Sequence, residues 1–90
     1  MYVFLFQLHW HQGHRIDNSI ESQIFSTREK AQAYLNEEIK ACMKRLSHYY
    51  TNDEITCTCL SENAAFIRAK DDEINFSDSC ALAIIEQKVL

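Results

Sequence analysis

The first stretch of the chain alternates in the way that a β-strand requires. Every second side chain is large and apolar, namely Tyr2, Phe4, Phe6, Leu8 and Trp10. The positions between them begin apolar and become polar, in the order Val3, Leu5, Gln7 and His9. Because successive side chains of a strand point to opposite faces, we expect the first set to face the core. Val3 and Leu5 then point to the other face of the sheet.

A capping signal followed by helical spacing predicts one helix. Ser26 precedes Glu29 by three positions, and this pair fits a capping box at a helix start. Apolar side chains then recur at spacings of three and four, at Ala31, Leu35, Ile39, Cys42 and Leu46. The pattern predicts an amphipathic helix over about 27–47. Residues 19–25 before it predict a short strand, paired antiparallel with the first one.

The second half of the chain predicts a hairpin and a last strand. Residues 54–60 and 64–70 flank a turn at Ser61-Glu62-Asn63. Two registers are open for 64–70, with either Phe66 or the set Ala65, Ile67 and Ala69 facing the core. Residues 73–76 are a candidate for a further short strand. Residues 77–80 predict a polar loop that contains Cys80, and a final strand follows over 81–90.

These elements predict one α+β domain over 1–90, with the order β-β-α-β-β-β. We expect an antiparallel sheet of four to five strands with the amphipathic helix packed on one face. One helix covers only one face, so apolar side chains are expected to remain on the other, at Val3, Leu5, Ile85 and Val89. An apolar patch left open on a monomer marks an interaction site. We therefore predict a homodimer through this face, with a sheet edge as the other route.

Composition narrows the class of protein. The 90 residues include no proline and one glycine, Gly13, which excludes a glycine-rich phosphate-binding loop. Nine basic against 13 acidic residues give a net charge of −4, which argues against nucleic acid as the partner. The apolar run that follows Met1 is too short for a signal peptide or a membrane span. We expect a complete chain in the cytoplasm, without membrane contact and with free thiols at its four cysteines.

Acidic side chains are concentrated in the second half of the sequence. Residues 51–80 hold seven acidic and two basic side chains, a difference of −5. The partner-binding residues predicted from this cluster are Asp53, Glu54, Asp71, Asp72 and Glu73. Complementary charge accelerates association and selects the partner, so the expected partner is a host protein with a basic surface.

Histidine and cysteine pairs are the most evident candidates for chemistry. His9 with His11, and Cys57 with Cys59, supply the ligand types of a zinc site. Their alternate spacing in strands differs from that of zinc knuckles, and the two pairs are predicted on different faces. Cys80 has no evident base beside it in the sequence. We therefore predict no metal, no cofactor and no catalytic residue; the alternative is a metal- or redox-responsive regulator that uses these residues.

A resemblance adds a candidate function. The run Ile24-Phe25-Ser26-Thr27-Arg28-Glu29-Lys30-Ala31, followed by Tyr34-Leu35 and preceded by a Tyr-Val-Phe-Leu strand, resembles a turn of small phage and bacterial proteins. Proteins of this size with a sheet and one helix are similar to phage-borne inhibitors of bacterial defence, among them anti-CRISPR proteins. The resemblance implies stoichiometric inhibition of a host defence or nucleic-acid-handling protein in the host cytoplasm, without catalysis. It carries over no site residue.

Overall fold

Five antiparallel strands, one α-helix and a short 3₁₀ helix make up the computed structural model of the chain, which describes residues 1–12, 19–71 and 76–89. The elements are β1 (Tyr2–Gln12), β2 (Ser19–Phe25), α1 (Arg28–Leu46), a short 3₁₀ helix (Asn52–Glu54), β3 (Ile55–Ser61), β4 (Ala64–Asp71) and β5 (Phe76–Lys88). The strand order across the sheet is β2-β1-β5-β4-β3. The predicted α+β class and the order of elements along the chain are confirmed.

The last strand in sequence lies in the middle of the sheet. β5 pairs antiparallel with β1 through residues 78–88 on one side and with β4 through residues 76–83 on the other. Leu82 has Leu8 as its partner on β1 and Ala65 as its partner on β4. All three side chains are buried, so the core follows the middle of the sheet.

Helix α1 covers one face of this sheet. Its buried side chains are Ala31, Leu35, Cys42 and Leu46, and Ile39 is half-buried against the same core. The ring of Tyr34 meets Phe6 edge to face, with centroids 4.9 Å apart. Burying a side chain such as Leu35 contributes roughly 1.5–3 kcal/mol to the free energy of unfolding. Because most of the stability of a helix in a protein comes from such packing, helix formation and core formation depend on each other.

The helix begins one residue later than the capping box predicts. Thr27, and not Ser26, is the N-cap residue, with extended backbone angles. Its Oγ1 accepts a hydrogen bond from the backbone N–H of Lys30 at 3.2 Å. Either hydroxyl could satisfy a free amide of the first turn. Because Thr27 has the extended backbone of an N-cap residue, its hydroxyl caps the helix and that of Ser26 does not. The predicted Ser26–Glu29 capping box is therefore wrong.

The register left open for 64–70 is resolved by burial. Ala65, Ile67 and Ala69 are buried on the helix side of the sheet, and Phe66 is 38% exposed on the other side. The small alanines leave room for helix α1 above β4, while Ile67 fills the core between them. The second of the two predicted registers is the correct one.

The polar loop predicted over 77–80 is wrong, because β5 continues through these residues. Ser77 and Ser79 alternate with Asp78 and Cys80, and only the latter two point to the core, where both are buried. The hydroxyl of Tyr50 donates to Oδ2 of Asp78 at 3.0 Å. The serines made the stretch resemble a loop, although it satisfies strand alternation. Of the short strand predicted over 73–76, only Phe76 lies within the described residues.

Replacing Leu35 with alanine tests the core. Because the side chain is 2% exposed, we expect Leu35→Ala to lower the free energy of unfolding by about 2–5 kcal/mol in chemical denaturation. Asn36→Ala is the matched control at the next, exposed position. Equal stability of the two variants would place Leu35 outside the core.

Removing one hydroxyl tests the buried contact of β5. Tyr50→Phe takes a donor away from the buried carboxylate of Asp78, so we expect a loss of about 1.5–3 kcal/mol in the free energy of unfolding. Tyr49→Phe is the control, since Tyr49 is its exposed neighbour. If the two variants unfold at the same denaturant concentration, the hydrogen bond between Tyr50 and Asp78 does not contribute to stability as we expect.

Candidate functional site

The face of the sheet opposite helix α1 is the candidate site, and we call it the open face. Strand alternation places on it Val3, Leu5, Gln7, His9 and His11 of β1; Ile20, Ser22 and Ile24 of β2; Thr56 and Thr58 of β3; Ala64, Phe66, Arg68 and Lys70 of β4; and Ser77, Ser79, Ala81, Ala83, Ile85 and Gln87 of β5. Within the described ranges, no other element of the chain packs against it.

An apolar row crosses the open face near the beginning of β1. Leu5 has Ile24 of β2 and Ile85 of β5 as its direct partners, so these three side chains lie side by side. Ile24 is 70% exposed and Ile85 is 41% exposed. Cross-strand aliphatic pairs stabilise a sheet, but most of the surface of Ile24 and about two fifths of that of Ile85 remain in water. We call this set the first apolar row.

A second apolar row crosses the same face four residues further along β1. The register places Ile20, His9, Ala81 and Phe66 next to one another on four adjacent strands. Ile20 is 64% exposed. Between the two rows lie smaller or uncharged side chains, namely Ser22, Gln7, Ala83 and Ala64. Exposed apolar groups arranged over several strands are typical of a contact surface.

The charge of the open face is opposite in sign to that of the whole chain. None of its described positions holds aspartate or glutamate, although the chain has 13 acidic residues. Arg68, Lys70 and His11 lie towards the end of the sheet where β1 finishes and β5 starts, and His9 lies in the second apolar row. The open face therefore has an apolar half and a weakly basic end.

The four residues predicted as a dimer face lie on the open side of the molecule. Val3 and Leu5 are half-buried, and Ile85 is exposed. Val89 follows β5 and is also exposed; its N–H donates to the carbonyl oxygen of Met1 at 2.9 Å, which continues the pairing with β1. Sequence reasoning missed Ile20, Ile24 and Phe66. The alternation of β2 placed both isoleucines on one face, but only the pairing of Ile24 with Leu5 identifies that face.

The acidic residues predicted as partner-binding come from two neighbouring elements. Asp53 and Glu54 precede β3, and β4 ends at Asp71; the pairing of Ile55 with Ala69 brings these two places to one end of the sheet. Asp53 is exposed. Glu54 is half-buried, and its Oε1 accepts from the N–H and the hydroxyl of Thr51 at 2.8 and 3.1 Å. Asp72, Glu73 and the side chain of Asp71 lie outside the described residues.

The histidine and cysteine pairs do not form one site. His9 and His11 are on the open face, whereas Cys57 is half-buried against the core on the helix side. One ion therefore cannot contact both pairs. Burial raises the pKa of Cys57, and the neighbouring Cys59 raises it further, which disfavours the thiolate that a metal would need. In the described part of the chain, no three histidine, cysteine or acidic side chains gather in a way that could hold a metal ion.

A different pair of cysteines comes together in the core. Cys42 of α1 and Cys80 of β5 have their Sγ atoms 3.3 Å apart, in hydrogen-bond contact. All four cysteines are free thiols in this structure. Sequence analysis did not find the pair, because 38 residues separate its members and Cys80 was assigned to a loop.

Neither a membrane-spanning helix in the described residues nor a known relative adds to this description of the site. None of the helices in the described ranges is long and apolar enough to cross a bilayer. Protein-family models, curated proteins and solved structures all give no match to the chain.

Proposed function

We propose that the chain is a small protein-binding module that acts by contact and not by catalysis, with the open face as its contact surface. The observation that carries the proposal is the pair of exposed apolar rows on a sheet face that nothing in the described chain covers. A second surface that covers these isoleucines removes their apolar area from water. This lowers the free energy of the system and favours association.

The first occupant that we propose for the open face is a second copy of this chain. A two-fold axis along the middle row, perpendicular to the strands, would set Ile24 of one copy opposite Ile20 of the other. It would also set Ile85 opposite Ala81, where a small side chain leaves room for it. The same axis sends the two basic ends to opposite ends of the dimer, so they do not repel each other. Face-to-face packing of this kind is the geometry of a β-sandwich.

A second surface of the same module would bind a different protein. Asp53 and Glu54, which directly precede β3, form what we call the acidic end; it lies at the same end of the sheet as Arg68 and Lys70 but outside the strand positions of the open face. We propose that this acidic end docks on a basic surface of a host protein, which agrees with the resemblance to phage-borne inhibitors of bacterial defence. Stoichiometric occupation of a nucleic-acid-binding surface would inhibit such a protein. Four free thiols support a cytoplasmic place of action.

Charge introduced into the open face tests self-association. We expect Ile85→Glu and Ile24→Glu each to weaken the dimer more than about tenfold in sedimentation equilibrium, because each buries a carboxylate among apolar groups. Ile85 lies on the central strand, away from the β2 edge of the sheet. Its substitution should therefore weaken a dimer that forms through the open face, but not one that forms by strand pairing at the β2 edge.

The control for these variants is Met43→Glu. Met43 is 37% exposed and lies on helix α1, on the opposite side of the molecule, so its substitution should leave the dimer intact. An unsubstituted chain that sediments as a monomer at every concentration would contradict the proposed occupant. Equal weakening by Met43→Glu would contradict the proposed face.

Charge reversal at the acidic end tests the second surface. We expect Asp53→Lys to weaken binding of a lysine-rich peptide about threefold to tenfold at low salt, measured by fluorescence anisotropy. Glu62→Lys is the matched control. It changes the net charge by the same amount, but it lies in the β3–β4 turn at the other end of the sheet. Indistinguishable affinities of the two variants would show that only net charge matters and would reject the acidic end as a docking site.

A further inference from the structure

Two buried thiols connect the helix to the middle of the sheet. Cys42 on α1 is 3% exposed and Cys80 on β5 is fully buried, and their Sγ atoms are 3.3 Å apart. A disulfide needs the sulfurs at about 2.05 Å, so they would have to approach by about 1.3 Å. Small rotations of the two side chains cover this distance. The two sulfurs therefore lie close enough to form a disulfide, although both cysteines are free in this structure.

One of the two cysteines lines a groove that is open to solvent. The groove has a volume of about 140 Å³ and lies beside α1, between residues that include Trp10, Glu21, Glu38, Cys42 and Arg45. Its volume accommodates a few water molecules, and so also a hydroperoxide of similar size. Cys42 is among the lining residues and Cys80 is not. A small oxidant in the groove therefore lies next to Cys42 and not next to Cys80.

The charges around the pair give its two sulfurs different roles. The contact with Cys80 lowers the pKa of Cys42, because a Cys42 thiolate would accept a hydrogen bond from the S–H of Cys80; the guanidinium of Arg45 also lowers it, whereas burial, Glu38 and Glu21 raise it. The same hydrogen bond and burial raise the pKa of Cys80. Because Cys42 also lines the groove and Cys80 does not, we assign the thiolate to Cys42 and the retained proton to Cys80. Since the thiolate is the nucleophilic form, Cys42 is the sulfur that attacks an oxidant.

We propose that Cys42 and Cys80 form a reversible intramolecular disulfide when hydrogen peroxide enters the groove. The Cys42 thiolate attacks one peroxide oxygen, an S–O bond forms, the O–O bond breaks, and the departing hydroxide takes up a proton to become water. Cys80 then loses its proton, and its sulfur attacks Cys42 Sγ. The S–S bond forms, the S–O bond breaks, and a second water leaves. In total two thiols are oxidised and one peroxide is reduced to two waters.

The bond would change the stability of the molecule. It joins α1 to the central strand and closes the chain between positions 42 and 80, which restricts the unfolded state. We therefore expect the oxidised protein to melt at a temperature higher by roughly 10 °C than the reduced protein. This inference stands independently of the proposed binding function, because its readouts are covalent and thermal.

The test uses the chain with Cys57→Ser and Cys59→Ser, which leaves only the pair in question. The protein is treated with a small excess of hydrogen peroxide, then unfolded and alkylated, and its intact mass is measured. We expect a loss of two hydrogen atoms, no alkylation, full reversal by dithiothreitol, and the rise in melting temperature. Peptide mapping of the unsubstituted chain gives the same assignment of the bond without any substitution.

Single variants in the same background separate the two roles. With Cys80→Ala, we expect Cys42 to stop at the sulfenic acid, which dimedone traps. With Cys42→Ala, Cys80 should remain reduced, because it does not line the groove. Circular dichroism confirms that each variant is folded before oxidation. Two alkylated thiols after peroxide treatment of the folded protein would overturn the proposal. Equally rapid oxidation of Cys80 in Cys42→Ala would overturn the assigned order of attack.

Discussion

The structure depends on one constraint, which is that a single helix must cover a sheet of five strands. A helix of 19 residues is about 28 Å long and one helix diameter wide, so it covers the middle of one face. The core accordingly lies between α1 and the strands β1, β5 and β4. Within the described residues, the chain has no second α-helix for the other face. The apolar rows of that face therefore remain in contact with solvent in the isolated chain.

Strand β5 separates the two sides of the molecule. Its helix-facing positions hold Asp78, Cys80, Leu82 and Ile84, all buried, while its open-face positions begin with the small residues Ser77, Ser79, Ala81 and Ala83. Small side chains on the central strand allow a second surface to approach the sheet closely. The same strand thus supplies one partner of the buried thiol pair on one face and the middle of the proposed contact surface on the other.

Local patterns predicted the elements of this fold better than their boundaries. The helix followed from the spacing of Leu35, Ile39 and Leu46, because that spacing depends only on neighbouring residues. The N-cap moved from Ser26 to Thr27 because two adjacent hydroxyls can both cap, and backbone conformation decides between them. The stretch 77–80 was mistaken for a loop because the two serines face solvent and the buried Asp78 has its partner in Tyr50, which lies 28 residues earlier in sequence.

The candidate sites needed tertiary contacts that the sequence does not contain. Val3 and Leu5 were assigned to the second face from alternation alone. Ile24 could join them only through its register with Leu5, and Cys42 could meet Cys80 only after helix α1 packed on β5. Both contacts are non-local, and no short-range pattern in 90 residues encodes them.

The most direct measurement of the central claim is a dilution series of amide spectra by nuclear magnetic resonance. If the open face is the contact surface, the amides around Leu5, Ile24 and Ile85 will shift with protein concentration, and those of exposed helix residues such as Lys40 and Lys44 will not. Spectra that do not change with concentration, or shifts confined to helix α1, would contradict the account.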